Sequence, residues 1–368
     1  MAITHHPRRG GVIAVTVLLA LTSSACASSS TKTATTAAAG AAATTAAPAA
    51  AATTAAAVAD AGLKKGLTVY FIPKDTQNPY EVIADEGGSS ALAELGGKVV
   101  VSSGTEDTAA AQIPSIQAAI AAKADAIVIA GNDPDALCPS LAQAQAAGIK
   151  VVAFDSDVKC PNHLFINQAD TATIGTAEVD YMATLINSTG EVAILSAAAT
   201  ATNQNAWIDN MKLQFAKYPN MKLVDTVYGD DDPAKSLTAL QGLLSAHPKL
   251  AGIISPTTVG ISTAAQYLST HKDVKVQLTG LGLPSQMKTY IKDGTVKGFM
   301  LWNPRDLGYL AGYAAATLAS GKVEIKDGAK FKAGKLGEYT IKTDASGSTI
   351  ILGPPTVFDA KNIDQFNF

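Results

Sequence analysis

From residue 67 onward, short uninterrupted apolar runs alternate with longer segments whose apolar positions return every three or four residues. Leu67 to Ile72, Lys98 to Val101, Ala126 to Ala130 and Ile149 to Ala153 have the length and content of strands buried on both faces. Between them, Ile113, Ile116 and Ile120 keep helical spacing, and Gly148 stands where a helix would end before the fourth strand. His163 to Ile166 adds a fifth strand. The rhythm then restarts, with a helix over Thr171 to Ile186, strands at Glu191 to Leu195, Leu223 to Tyr228, Ala251 to Ser255 and Val274 to Thr279, and helices between them. Lys297 to Trp302, one more helix and a hairpin-like tail close the chain. Two consecutive alternations of this kind predict an α/β protein of two doubly wound parallel-sheet lobes.

Composition changes the picture only before residue 63. Residues 27–62 are nearly all Ala, Thr and Ser, broken by Pro48, and lack the large apolar side chains that would offset the entropy of ordering. A flexible tether is expected there. Ahead of it, Arg8 and Arg9 precede an apolar run from Val12 to Leu21 that is too short to span a bilayer, and Ser23-Ser24-Ala25 leads into Cys26. This arrangement resembles a bacterial lipoprotein signal, in which Cys26 would become the first mature residue and carry the lipid. An ordinary secretory peptide cleaved nearby is the alternative. The formal net charge of -3 gives no basic footprint for nucleic acid.

Two further cysteines, Cys138 and Cys160, remain in what would be an oxidising compartment. Parity and compartment favour a disulfide over two separate thiols. No metal is expected, since the histidines are scattered and none pairs with a cysteine at ligand spacing.

Open parallel sheets bind ligands beyond the carboxyl ends of their strands. That rule singles out Pro73-Lys74-Asp75, Gly131-Asn132-Asp133, Asp155-Ser156-Asp157, Thr202-Asn203-Gln204, Pro256-Thr257-Thr258 and Gly280-Leu281-Gly282. These loops are rich in amide, hydroxyl and carboxylate groups. A sugar offers hydroxyls that both donate and accept, around an apolar ring face, so it calls for such groups plus aromatic rings. Lys74, Asp155, Asn203, Gln204 and Asn303 fit the first need; Tyr80, Trp207 and Trp302 fit the second. Asn78 and Asn132 stand beside them. Enzyme readings are weaker. Gly280-Leu281-Gly282 lacks the rest of a dinucleotide fingerprint, and Asp230-Asp231-Asp232 before Pro233 reads as an acidic helix start rather than a metal site. No catalysis and no cofactor are expected.

Several ordered blocks resemble the rhamnose-binding proteins of bacterial ABC transporters. They include Thr200 to Asp209, Val227 to Asp231, Pro256 to Ile261, Thr279 to Ser285 and Trp302-Asn303-Pro304 with Asp306 to Tyr309. That family is similar to the type I periplasmic binding proteins, so the resemblance implies two lobes joined by three hinge crossings, near Asn167, Trp302 and Gly321. It implies a first lobe of residues 63–167 plus 303–321 and a second of 168–302 plus 322–368, behind a 1–26 signal peptide. A related receptor for a furanosyl autoinducer implies ligand contacts at Lys74, Asp155, Asn203, Gln204, Pro256 and Thr258. That receptor has aspartate at the position of Asn203 and alanine at that of Thr258, and losing a carboxylate against a hydroxyl-rich furanose is not conservative. The resemblance therefore implies a lipid-anchored monomer that delivers a deoxyhexose such as rhamnose to a membrane permease. The autoinducer, or another pentose, hexose or polyol, is the alternative.

Overall fold

The computed structural model describes residues 62–368; Arg8, Arg9, Cys26 and the expected tether lie outside the described residues. The first alternation gives β1 (Thr68–Ile72), α1 (Pro79–Glu94), β2 (Lys98–Val101), α2 (Ala109–Ala121), β3 (Ala126–Ile129), α3 (Cys138–Ala146), β4 (Lys150–Phe154) and β5 (Leu164–Asn167). The second gives α4 (Thr171–Leu185), β6 (Gly190–Ser196), α5 (Thr202–Phe215), β7 (Met221–Tyr228), α6 (Pro233–Ala246), β8 (Leu250–Ser255), α7 (Thr258–Thr270), β9 (Gln277–Gly280), α8 (Pro284–Lys292) and β10 (Gly298–Leu301). The chain ends with α9 (Pro304–Ala319), β11 (Lys330–Lys332), β12 (Glu338–Thr340), β13 (Lys342–Asp344), β14 (Gly347–Ile351) and β15 (Thr356–Asp359).

Both lobes use the same parallel strand order. In the first it is β2-β1-β3-β4-β5; in the second it is β7-β6-β8-β9, with β10 continuing through the parallel bridge between Leu281 and Met300. The order reverses beside β1 in one lobe and beside β6 in the other, and each reversal opens a crevice at the strand ends. Alternation of side chains sorts the first sheet into two cores. Val69, Phe71, Val128 and Phe154 pack on the α1 and α9 side, whereas Ile72, Ile127, Ile129 and Val151 pack on the α2 and α3 side.

Residues 322–368, expected with the second lobe, divide between the two. β14 pairs in parallel with β5, Thr349 opposite Phe165, and so extends the first sheet, with β13 antiparallel at its edge. β15 and the residues after it reach the second lobe, where β15 pairs with β10 and the Phe368 carbonyl accepts from the Ser285 amide of α8. The third crossing therefore runs between β14 and β15, at residues 352–355, and not near Gly321. Gly321 instead ends α9 in a left-handed turn, φ 66°. β14 is short and half-exposed, next to the β13 edge of the sheet, and its weak apolar signal hides its partner.

α1 and α9 touch backbone to backbone. A Cβ on Gly308 would lie 1.8 Å from the Ala84 carbonyl oxygen, and one on Gly87 would lie 1.9 Å from that of Arg305. Two glycines thus bring the N-terminal ends of both helices to the cleft. The acidic run behaves as expected at its end: Asp232 accepts from the Lys235 amide, and Pro233 opens α6.

Candidate functional site

At the carboxyl end of β1, Lys74 enters the cleft with 3 % of its surface exposed. Its Nζ lies 2.8 Å from Asp155 Oδ2 and donates to Asn203 Oδ1 of the opposite lobe at 3.4 Å. Asp155 follows β4 with φ 58°, in the left-handed region that a short polar side chain tolerates at modest cost. Its carboxylate also accepts from the Tyr80 hydroxyl at 2.8 Å and from Asn203 Nδ2 at 3.0 Å. Trp302 Nε1 donates in turn to the Tyr80 oxygen at 2.7 Å. One carboxylate thus gathers groups from both lobes, and the hinge tryptophan joins the same network.

Burial weakens the Lys74 ammonium, but the attraction of Asp155, and then of Glu81, Asp107 and Asp231, outweighs it, so its pKa lies above the ordinary value. Lys74 is a cation throughout the physiological range. Burial, with Asp155 and Glu81 nearby, pushes the Tyr80 phenol well up, and Tyr80 stays neutral. Burial and then Asp231 push Asp107 up to about 7. Burial also raises Asp231, against the pull of Lys74 and of the Thr257 hydroxyl.

The second lobe contributes amides and hydroxyls. α5 begins without a side-chain cap, and its first turn presents Asn203 and Gln204. Gln204 Oε1 is fixed by the Ser196 hydroxyl and the Ala197 amide, at 3.2 and 3.1 Å. Trp207 follows Asn203 by one helical turn and therefore shares its face. Its ring centroid stands 5.9 Å from that of Trp302, which meets Tyr80 edge-on at 6.2 Å. Pro256 and Thr258 close the wall at the start of α7, beside Leu281 and Leu301. About 30 Å³ of free volume lies between these side chains, room for a water or two by size. The lobes are closed on one another, and the Thr200 hydroxyl even donates across the cleft to the Asn132 carbonyl, at 2.9 Å.

Lys74, Asn78, Tyr80, Asp155, Asn203 and Gln204 all line this cavity, as do Trp207, Pro256, Thr258 and Trp302. Asn132 and Asn303, expected among the ligand contacts, do not. Asn132 is buried beneath the floor, where its Nδ2 donates to the Lys74 carbonyl at 2.8 Å and braces the lysine loop. Asn303 caps α9, accepting from the Arg305 amide at 3.0 Å and donating to Asp306. Both are Asn residues just after strands, and a helix cap or loop brace satisfies such an amide as fully as a ligand does.

Thr257 and Leu281, from the loops the strand-end rule singles out, also line the cavity, as do Glu81, Asp231 and Leu301, which sequence reasoning missed as ligand residues. Glu81 hides because it stands three places after the N-cap Asn78, where a glutamate ordinarily closes a capping box. Asp231 hides in an acidic run that explains itself as a helix start. Its backbone, at φ 50°, turns the side chain to accept from the Thr257 hydroxyl at the cavity wall.

Behind Asp155, the loop to β5 is held from two directions. Cys138 and Cys160 form a disulfide with Cα atoms 5.2 Å apart, tying this loop to α3. His163 bonds the Cys160 carbonyl through Nδ1 and the Asp157 carboxylate through Nε2, each at 2.7 Å. Burial lowers the imidazole pKa, but the Asp157 and Cys160 bonds raise it by more, and only the imidazolium donates to both acceptors at once.

Two parallel-sheet lobes of the same strand order, closed on a polar, aromatic-walled cleft, define a two-lobed class of solute receptor. Residues 69–323 match the periplasmic binding protein domain, and the chain belongs to that family. It is a solute-binding protein of the sugar ABC transporter type. A solute-binding protein from Clostridium phytofermentas with bound L-rhamnose is 39% identical, over 82% of this chain and 98% of that one, with a TM-score of 0.79. A sugar ABC transporter protein from Actinomyces odontolyticus is 46% identical over 82% of this chain and 98% of its own, with a TM-score of 0.65. LsrB from Clostridium saccharobutylicum in complex with AI-2 is 26% identical over 82% and 100% of the two chains, at 0.77. Among the described residues, no helix is long and apolar enough to cross a membrane.

Proposed function

We propose that the chain captures a deoxyhexose, L-rhamnose foremost, between its lobes and presents it to an ABC permease. The observation that carries this reading is the division of the cleft into two chemistries. Lys74, Asp155, Asn203 and Gln204 offer charged and amide groups suited to adjacent ring hydroxyls, while Trp207, Trp302, Leu281 and Leu301 offer an apolar surface suited to C–H faces and a methyl group. The sugar's hydroxyls take over hydrogen bonds that Lys74, Asp155 and Asn203 otherwise make with one another across the cleft. Lobe opening admits it, and closure around it produces the form a permease recognises.

The 39% identity to the L-rhamnose-bound receptor supports this choice of sugar. Asn203 and Thr258 both face the cavity, so the positions that separate this chain from the autoinducer receptor are ones a ligand would meet. Lipid attachment at Cys26, upstream of the described residues, would hold the receptor at the outer face of the cytoplasmic membrane within reach of its permease.

The test is a melting-temperature screen of the purified chain against monosaccharides and the autoinducer. L-rhamnose at ~100 times its Kd should add about 2.7 kcal/mol of stability. A flat response to every sugar overturns the reading, and stabilisation by the autoinducer with none by L-rhamnose replaces the ligand.

A further inference from the structure

Glu81 is 1 % exposed, lines the cavity, and carries a buried Oε2 with no hydrogen-bond partner. A glutamate three residues after an N-cap would normally reach back to the cap's own amide. Here that amide is already taken, because Asn78 N donates to Asp75 Oδ1 at 2.7 Å. The capping role is filled by another residue, and Glu81 is left facing the ligand cleft.

In the closed cleft the donors around it are paired with other residues and none is aimed at Glu81. Lys74 points at Asp155 and Asn203, Tyr80 and the Asn203 amide point at Asp155, and Trp302 points at Tyr80. A pyranose ring oxygen can only accept, and an ionised carboxylate can only accept as well. Resting on the sugar-receptor reading above, we infer that Glu81 is a recognition residue that works as a neutral carboxylic acid, donating its O–H to an acceptor oxygen of the bound sugar. The surroundings favour that form. Burial and then Asp155, after β4, raise its pKa well above the carboxylate range, and Asp85 on α1 and Asp75 before it add to the rise. Lys74 opposes it, as does the positive end of α1. The net direction is upward.

The consequence is a pH dependence of binding that neither rhamnose nor Lys74, whose pKa is raised, brings at neutral pH. Calorimetric titration of the intact chain with L-rhamnose from pH 6 to pH 10 tests it, comparing wild type with Glu81→Gln, whose amide donates at every pH. Wild-type affinity should fall by up to tenfold per pH unit once Glu81 ionises in the free protein, and the Glu81→Gln profile should be flat over the same range. Superimposable profiles overturn the inference while leaving the receptor reading intact. Absence of binding by wild type to any monosaccharide at any pH overturns both. Should Glu81→Gln fail to fold, carboxyl 13C NMR of glutamate-labelled wild type decides: a glutamate still protonated at pH 7 must shift when L-rhamnose is added, and no such shift overturns the proposal.

Discussion

The two faces of the cleft solve the same problem differently. The first lobe presents buried charge, with Lys74 and Asp155 in contact at 2.8 Å and both nearly excluded from solvent. The second lobe presents mainly amides and hydroxyls, on the first turns of α5 and α7, with the Asp231 carboxyl beside them. A buried charge is costly unless its partner stays in place, so the charged face needs rigid support, whereas an amide face tolerates adjustment. The support is visible. The first-lobe residues are held by the glycine contact between α1 and α9, by the Asn132 brace, and by the disulfide and His163 behind Asp155. Asn203 has a lighter hold, through its own cross-cleft bonds and its Gln204 neighbour.

Breaking the charged face should have the largest effect. Asp155→Ala leaves the Lys74 ammonium buried without its partner; a loss of about 3–5 kcal/mol in stability is expected from denaturant unfolding, with sugar affinity down by on the order of 100-fold. Next comes the staple behind that face. Replacing Cys138 and Cys160 together by Ser should cost about 3 kcal/mol and weaken sugar binding in parallel, because the freed loop carries Asp155. A stable, unaltered binder would show the loop to be rigid without it. Gly308→Ala forces α1 and α9 apart and should cost about 1–3 kcal/mol, again with impaired binding, since α1 carries Tyr80 into the cleft.

The amide face should respond less. Asn203→Ala is expected to raise the Kd about tenfold with little change in melting temperature, and an effect as large as that of Asp155→Ala would erase the distinction between the faces. The smallest effect concerns pH. His163 has a raised pKa in the folded state, so its contribution is fully present below about pH 6.5, its usual unfolded value, and is lost as pH rises through the folded one. A plot of stability against pH should therefore fall through that window in wild type and be flatter in His163→Gln.

Much of this could be read along the chain. Apolar runs such as Ala126–Ile129, buried at every position, announced parallel strands covered on both faces, and the rule for strand ends led to Lys74, Asp155 and Asn203. The two tryptophans of the chain, each beside a polar loop, come together at the cavity. Where reading failed, a local explanation was sufficient and the tertiary one invisible. Asn132 and Asn303 carry the same side chain as Asn203, and only the packing around them separates a brace and a cap from a cavity wall. β14 lost its lobe because a half-exposed strand of five residues carries no mark of the strand it will join.

The sequence by itself determined the fold class, because hydrophobic periodicity is a local property of a chain. The tertiary structure decided that Glu81 and Asp231 line the cavity and where the third crossing falls. Those outcomes depend on which groups meet across long separations: Asp75 taking the cap, Asp155 meeting Lys74, and β5 waiting at an open edge. A side chain's protonation and role follow from its neighbours in space, and in this cleft those neighbours come from both lobes.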